Sequence, residues 1–278
     1  MINGKWIELI TKEETINITN TLSNCIFLDA KTEFPNSENE NINVKGADGV
    51  LPSTTTFAPF NLVVRIGFDG QDEIDVNLFE LKLRSLFYSR YPFYVVTSDN
   101  PGIKYPVLNP EIQEDVLDFS STVYELTFSV YEGYSESLDD TSKFSLSNGR
   151  WQFEAVARAD DSIKYTHTSD YFVIYNGSSD TIDPLLRHKL QIQIKADAPE
   201  GITIRNLTTE DKFIYKKPLT PSKTLTIQGV HPLLDGNRVG IDTNWQWITL
   251  APGYNTIKIE NDSIKSVETQ WSFNFIYR

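Results

Sequence analysis

Apolar and polar residues alternate along most of this chain. Leu62, Val64, Ile66 and Phe68 fall on one face of an extended run, with Arg65 on the other. Tyr124, Leu126, Phe128 and Val130 alternate with Val123, Glu125, Thr127 and Ser129. Leu190, Ile192 and Ile194 alternate with Lys189, Gln191, Gln193 and Lys195, and Leu225 and Ile227 with Thr224, Thr226 and Gln228. Near the end, Trp271, Phe273, Phe275 and Tyr277 are spaced to share a face. Each run is short and bounded by Gly, Pro, Asn or Asp, which predicts half-buried antiparallel strands of a sandwich or barrel. One segment follows a different period. From Asp75 to Tyr91, the residues Phe79, Leu83, Leu86, Phe87 and Tyr91 recur at helical spacing, leaving Glu80, Lys82, Arg84 and Arg90 for the wet side. This predicts one amphipathic helix on a sheet, capped by Asp75 and stopped by Pro92.

The order of these elements suggests two domains. Ser135 to Ser142 is polar and Ser147-Asn148-Gly149 is turn-rich. Strands and the helix precede this stretch and only strands follow it. The expected division is an α+β domain over 1–145 and an all-β sandwich over 146–278, a mainly β fold throughout. A second polar stretch runs from Glu33 to Ala58, and the Asp48-Gly49 pair in it is a hairpin signal. Val44, Val50 and Leu51 give its arms too few apolar residues to join a core of their own. The expectation is that this hairpin packs against another chain.

Composition narrows the function. The 278 residues carry a formal charge of -13, which opposes the phosphate neutralisation that nucleic-acid binding requires. Aromatic residues reach 12%, in keeping with sheet. The lone Cys25, beside Ile26, Phe27 and Leu28, can form no internal disulfide and reads as a small core residue. Met1 to Trp6 lacks the charged-then-apolar pattern of a secretory signal, and no apolar run is long enough to cross a membrane.

Candidate chemistry is sparse. His167, His188 and His231 stand apart without the clustered spacing of a metal site. The acid pairs Asp139-Asp140, Asp160-Asp161 and Glu210-Asp211 could suggest a glycosidase, but neighbouring acids on a strand point to opposite faces and do not converge on one bond. They read as solvated turns. Asn176-Gly177-Ser178 and Asn206-Leu207-Thr208 fit the glycosylation triplet, which has no meaning without a secretory signal. No phosphate loop, nucleophile elbow or calcium loop occurs. No catalytic residue, cofactor or metal is therefore expected. Trp245 and Trp247, two apart, would share a strand face. Exposed, they would make a sugar-stacking platform recognising a host wall polysaccharide; buried, they would be sandwich core beside Ile248 and Leu250.

The order of several motifs is more telling than any one of them. Tyr171-Phe172-Val173-Ile174-Tyr175-Asn176-Gly177, then Pro184, then the strand at 189–195, then Thr249-Leu250-Ala251-Pro252-Gly253-Tyr254-Asn255-Thr256-Ile257 resembles the distal tail proteins (Dit) of siphovirus-type phages of Gram-positive hosts. The hairpin at Gly46-Ala47-Asp48-Gly49, strand 61–68, helix 75–91, Tyr94-Val95-Val96, Tyr105-Pro106-Val107 and Tyr124-Glu125-Leu126-Thr127-Phe128 extend the resemblance across nearly the whole chain. It implies an N-terminal ring-forming domain, a β-sandwich or split barrel with one helix and a belt hairpin, and a galectin-like C-terminal β-sandwich. It also implies a homo-hexamer at the virion tail tip, assembled in the bacterial cytoplasm. Such a ring joins the tail tube protein to a tail-associated lysin or other tip protein and to receptor-binding or baseplate proteins. DNA passes through without specific binding, and no membrane is involved. On this reading Val44, Gly46, Asp48, Gly49, Val50 and Leu51 form the subunit interface of the belt, and Asp69, Asp72 and Glu73 are candidates for an acidic ring lumen.

Overall fold

The computed structural model describes residues 4–144, 163–261 and 263–278; Ser147-Asn148-Gly149 and Asp160-Asp161 lie outside them. The chain separates into two compact units, Met1–Glu136 with Arg278, and Ser137–Tyr277.

The strands of the first unit are β1 (Ile7–Ile10), β2 (Thr15–Asn17), β3 (Cys25–Thr32), β4 (Ser37–Glu38), β5 (Thr56–Phe57), β6 (Phe60–Asp69), β7 (Phe93–Thr97), β8 (Ile103–Val107), β9 (Glu111–Val116) and β10 (Ser121–Val130). The main sheet runs β2-β1-β7-β8-β10-β6-β3, with β9 added along β10. The long antiparallel ladder from Ser121↔Asp69 to Val130↔Phe60 is its spine. Leu62, Val64, Ile66 and Phe68 of β6 and Tyr124, Leu126, Phe128 and Val130 of β10 are all buried, as their alternation requires.

Two helices accompany the sheet. The four-residue α1 (Ile18–Thr21), capped by Asn17, is too short to show a helical period in the sequence. The longer α2 (Glu73–Phe87) lies on the spine through Phe79, Leu83 and Phe87. Phe79 stacks on Phe68 at 4.2 Å between ring centroids, and Phe87 meets Phe128 at 5.6 Å. The helix differs from expectation at both ends. Asp72, not Asp75, is the cap: its Oδ1 accepts from the Ile74 and Asp75 amides at 2.9 and 3.0 Å. Asp75 instead accepts from the Gln71 N–H, which closes the turn entering the helix. The helix stops at Phe87, so Tyr91 lies beyond it and is exposed.

The second unit is a two-sheet sandwich. β11 (Ser135–Ser137) begins at the division. There follow β12 (Thr166–His167), β13 (Tyr171–Asn176), β14 (Leu190–Asp197), β15 (Ile202–Asn206), β16 (Asp211–Tyr215), β17 (Leu225–Gln228), β18 (His231–Leu234), β19 (Asn237–Arg238), β20 (Gly253–Glu260) and β21 (Ser266–Phe273). One sheet is ordered β12-β21-β14-β17-β18-β19 and the other β13-β20-β15-β16. Their inner faces meet where Phe172 of β13 packs edge-on against Trp271 of β21 at 6.2 Å. The polar segment after residue 136 is already part of this unit: Thr141 Oγ1 donates to the Trp271 carbonyl at 2.9 Å and accepts from the Phe273 amide at 3.1 Å. The final aromatic run is not one uninterrupted strand. β21 ends at Phe273, and Asn274, Phe275 and Ile276 are buried in succession, which breaks the alternation.

Candidate functional site

The most conspicuous surface feature grows out of the β3–β6 pair. The ladder continues outward through Glu33 N–H to the Asn61 carbonyl, Ala58 N–H to the Asn36 carbonyl, and the β4–β5 pairs Ser37↔Phe57 and Glu38↔Thr56. Ile42 and Leu51 then exchange both amide bonds, at 3.0 and 2.9 Å. The tip closes with the Ala47 N–H donating to the Val44 carbonyl, and Gly46 supplies the left-handed φ of 88°. The bonded turn is thus centred on Lys45-Gly46, three residues ahead of the expected Asp48-Gly49, because Gly46 occupies the third position of a type II turn. From Glu33 to Val44 this is roughly 35 Å of extended chain.

Among the described residues, nothing within the unit covers the apolar side chains of this arm. Phe34 is 93% exposed, and Ile42, Val44, Val50 and Leu51 are exposed as well. Gly46, Asp48 and Gly49 are equally open, so all six residues expected at a subunit interface are available to a partner. Only the root is anchored, where the Arg278 guanidinium lies 4.2 Å from the Phe57 ring centroid. A two-stranded hairpin without a packed face is marginal in water, so a row of open apolar side chains on it calls for another surface.

A second apolar surface escaped the sequence reading. Helix α2 buries Phe79, Leu83 and Phe87 but also exposes Ile74, Leu78, Leu81 and Tyr88 on its outer side. Ile74, Leu78 and Leu81 follow the i, i+4, i+7 spacing of a helical stripe, a signal masked by the stronger aromatic stripe. Val116, Leu117 and Phe119 add exposed apolar side chains at and after the end of β9.

The acids expected near a lumen sit where β6 enters α2, and all three are exposed. Asp69 accepts from Ser121 Oγ at 2.7 Å and Asp72 caps the helix, whereas Glu73 lies in the first turn. A different carboxylate pair lies under α2. Burial and the neighbouring Glu114 raise the Glu80 pKa, although Arg84 at 3.1 Å opposes the shift.

The remaining sequence candidates have structural partners. His167 stacks on Phe172 at 4.2 Å, His188 is buried beside Thr181 and Asp183, and His231 is exposed in a separate hairpin. Among the described residues no group of three or more His, Cys, Asp or Glu could hold a metal ion. Asp140 caps a short 3₁₀ turn and Asp139 pairs with Lys143. Asp211 is no solvated turn residue: its Oδ2 accepts from the Thr249 amide at 2.7 Å. Burial pushes the Cys25 thiol up to about 11, as for a core cysteine.

The two glycosylation-like triplets have a common physical role with Asn255. Asn176, Asn206 and Asn255 are buried. Asn176 Nδ2 donates to the Leu250 carbonyl at 2.8 Å, and Asn206 Nδ2 to the Thr249 carbonyl at 2.7 Å. Asn255 takes the Ala251 N–H on Oδ1 and donates Nδ2 to the Ala251 carbonyl, at 2.9 and 2.7 Å. The three amides hold the segment 249–251 together with a single bridge, in which Ile182 and Leu250 exchange both backbone bonds at 2.9 and 3.0 Å. Gly177 follows Asn176 because a Cβ there would stand 2.7 Å from the Phe275 ring.

The tryptophan pair just before this segment lies on no strand. Trp245 has φ 59°, and that left-handed step destroys the pleat that would have aligned it with Trp247. Trp245 is 72% exposed, whereas Trp247 is half-buried. Neither the shared platform nor the shared core survives.

Residues 13–130 match the family model described as phage tail protein RIFT-related domain. Among solved structures, the Dit (gp 19.1) protein of phage SPP1, described as a paradigm of hub adsorption apparatus in phages infecting Gram-positive hosts, aligns over 97% of this chain and 99% of its own at 12% identity with a TM-score of 0.65. A chain of the phage P2 baseplate in its activated conformation with Ca aligns over 98% of both chains at 9% identity and a TM-score of 0.45. Its counterpart with Sr gives 97% of both chains, 8% and 0.44. No curated protein sequence matches the chain.

Proposed function

We propose that this chain, a phage tail protein with a RIFT-related domain over residues 13–130 and the fold of Dit across nearly its whole length, is the structural hub of a siphovirus-type tail tip. In this role its first unit closes into a homo-hexameric ring, and its second unit offers attachment to tail-tip, baseplate or receptor-binding proteins. The tail tube protein and a tail-associated lysin are the partners on either side of the ring. One observation carries the reading: the hairpin from Glu33 to Ala58 holds its apolar side chains clear of its own core. A patch that fits a different patch on an identical copy makes a heterologous contact, and such contacts close into rings. The exposed stripe Ile74, Leu78 and Leu81 on α2 supplies open apolar surface on the same unit.

The test is assembly mass. Residues 39–54 are replaced by Asn-Gly, which spares the β4–β5 pairs and the buried Phe60. Native mass spectrometry of the full chain is expected to give hexamers or stacked rings. The shortened chain is expected to remain folded by circular dichroism but to give lower assembly mass. Full-size rings from the shortened protein would remove the hairpin from the interface, and a monomeric parent chain would overturn the ring itself.

A further inference from the structure

We propose that Trp245 is a saccharide-stacking site on the second unit, taking a single pyranose ring of a surface polysaccharide. The first observation is backbone strain. A non-glycine residue in the left-handed region is costly, and a bulky one especially so. Yet Trp245 holds φ 59° to present a side chain that remains 72% exposed, so the strain gains the protein no core packing.

The second observation is the support beneath it. The Trp245 N–H donates to Thr243 Oγ1 at 3.2 Å. Asn244 is clamped on both sides of its amide: Nδ2 donates to the Lys212 carbonyl at 2.7 Å, and Oδ1 accepts from the Ile214 N–H at 2.9 Å. Both partners belong to β16, so the loop is tied to a strand of the sandwich. The benzo edge of the indole rests on Gly240, where an added Cβ would stand 3.3 Å from the ring. The tryptophan is thus preorganised by a rigid scaffold, as recognition residues are.

The surroundings select the ligand. Asn244 Nδ2 also donates to Gln246 Oε1 at 3.0 Å, fixing a second carboxamide on the same loop. Asp242 and Lys217 flank the same loop at 3.9 Å from each other. An indole offers an apolar face and one N–H donor, and carboxamides donate and accept at once. That set matches a pyranose, with its C–H face and its ring of hydroxyls. A protein anchor would need a desolvated apolar core around the tryptophan, and the loop adds only Ile241.

The experiment uses the full chain with 5-fluorotryptophan incorporated and follows its fluorine NMR spectrum. The probes are the methyl glycosides of glucose, galactose, N-acetylglucosamine and rhamnose. The Trp245 line is identified by its loss in Trp245→Phe. Expected is a saturable shift of that line with at least one glycoside. Trp245→Ala, which lacks the reporting line and is read by isothermal titration calorimetry beside the parent chain, should then weaken binding about tenfold or more. Gly240→Val, which pushes the ring off its seat, and Gln246→Ala, which leaves the fold untouched, should each weaken it as well. No shift with any glycoside, a shift confined to another tryptophan, or undiminished binding by Trp245→Ala overturns the proposal. So does a Trp245 line that moves only when a tail protein is added, which would make the loop a protein anchor.

Discussion

Replacing Asn255 should loosen the second unit in a pH-dependent way that distinguishes its amide from mere bulk. Its side chain is fully buried and makes bonds to the Ala251 N–H and carbonyl, to the Gly253 carbonyl at 3.2 Å, and to Asn206 Nδ2 at 3.1 Å. Asn255→Ala removes all of these. At about 1 kcal/mol per bond, with some partners regaining water at the half-buried Ala251, the loss is about 2–4 kcal/mol. For a unit of this size that corresponds to a fall of roughly 10 °C in the melting temperature. Asn255→Asp keeps the shape but would set a carboxylate against the Ala251 and Gly253 carbonyls. Its folded pKa should therefore rise above the ordinary value of about 3.9. A group raised in the folded state contributes its full stability below the unfolded pKa and loses it as pH climbs through the folded one. The Asp variant should thus weaken progressively as pH climbs above about 4 towards its raised folded pKa, while the deficit of the Ala variant stays flat. Scanning calorimetry of the full chain, following the transition of the second unit, reads both. An unshifted transition in Asn255→Ala, or a pH-independent deficit in Asn255→Asp, would refute the claim that this amide holds segment 249–251.

Two further outcomes test the first unit. Glu80→Gln should raise its melting temperature at neutral pH: the folded pKa of Glu80 lies above its usual 4.5, so ionisation weakens the folded state as pH rises, and the advantage should fade below that value in a pH series. For the lumen proposal, Asp69→Lys with Glu73→Lys, sparing the cap Asp72, should make the assembled ring retain double-stranded DNA at low salt and release it as salt rises; intact rings that retain none in a filter-binding assay would place these acids away from the hole.

The core was readable because its signal is local. Each of Leu62, Val64, Ile66 and Phe68 needs only its neighbours two positions away to declare a strand, and all are buried. The helix was readable for the same reason, through Phe79, Leu83 and Phe87. Its start was missed because Asp69, Asp72 and Asp75 are all residues of the capping type, and only three-dimensional geometry chooses Asp72. Trp245 was misread because period two assumes a strand, and a φ of 59° cannot be inferred from a tryptophan. The buried Asn176 and Asn206 were taken for chance triplets, since their partners at Leu250 and Thr249 lie far along the chain. The outer stripe of α2 went unseen because it shares a helix with a better one.

The distribution of exposed apolar residues bears on how the proposed ring could hold. A chain with a net charge of -13 repels its copies, and screening at physiological salt acts only beyond about 8 Å. Close subunit contact must therefore rest on apolar burial rather than on charge. The first unit has the material concentrated in continuous features: the hairpin residues Phe34, Ile42, Val50 and Leu51, and the helix residues Ile74, Leu78 and Leu81. At about 25 cal/mol per Å² of apolar area, covering several such side chains contributes several kcal/mol per contact, enough to offset surface repulsion that solvent largely screens. The second unit also exposes apolar residues, among them Tyr171 and Val173 on β13 and Tyr254 on the paired strand β20. The hairpin and the helix stripe are thus the surfaces on which the proposed self-assembly rests, and the β13–β20 face is left for other partners.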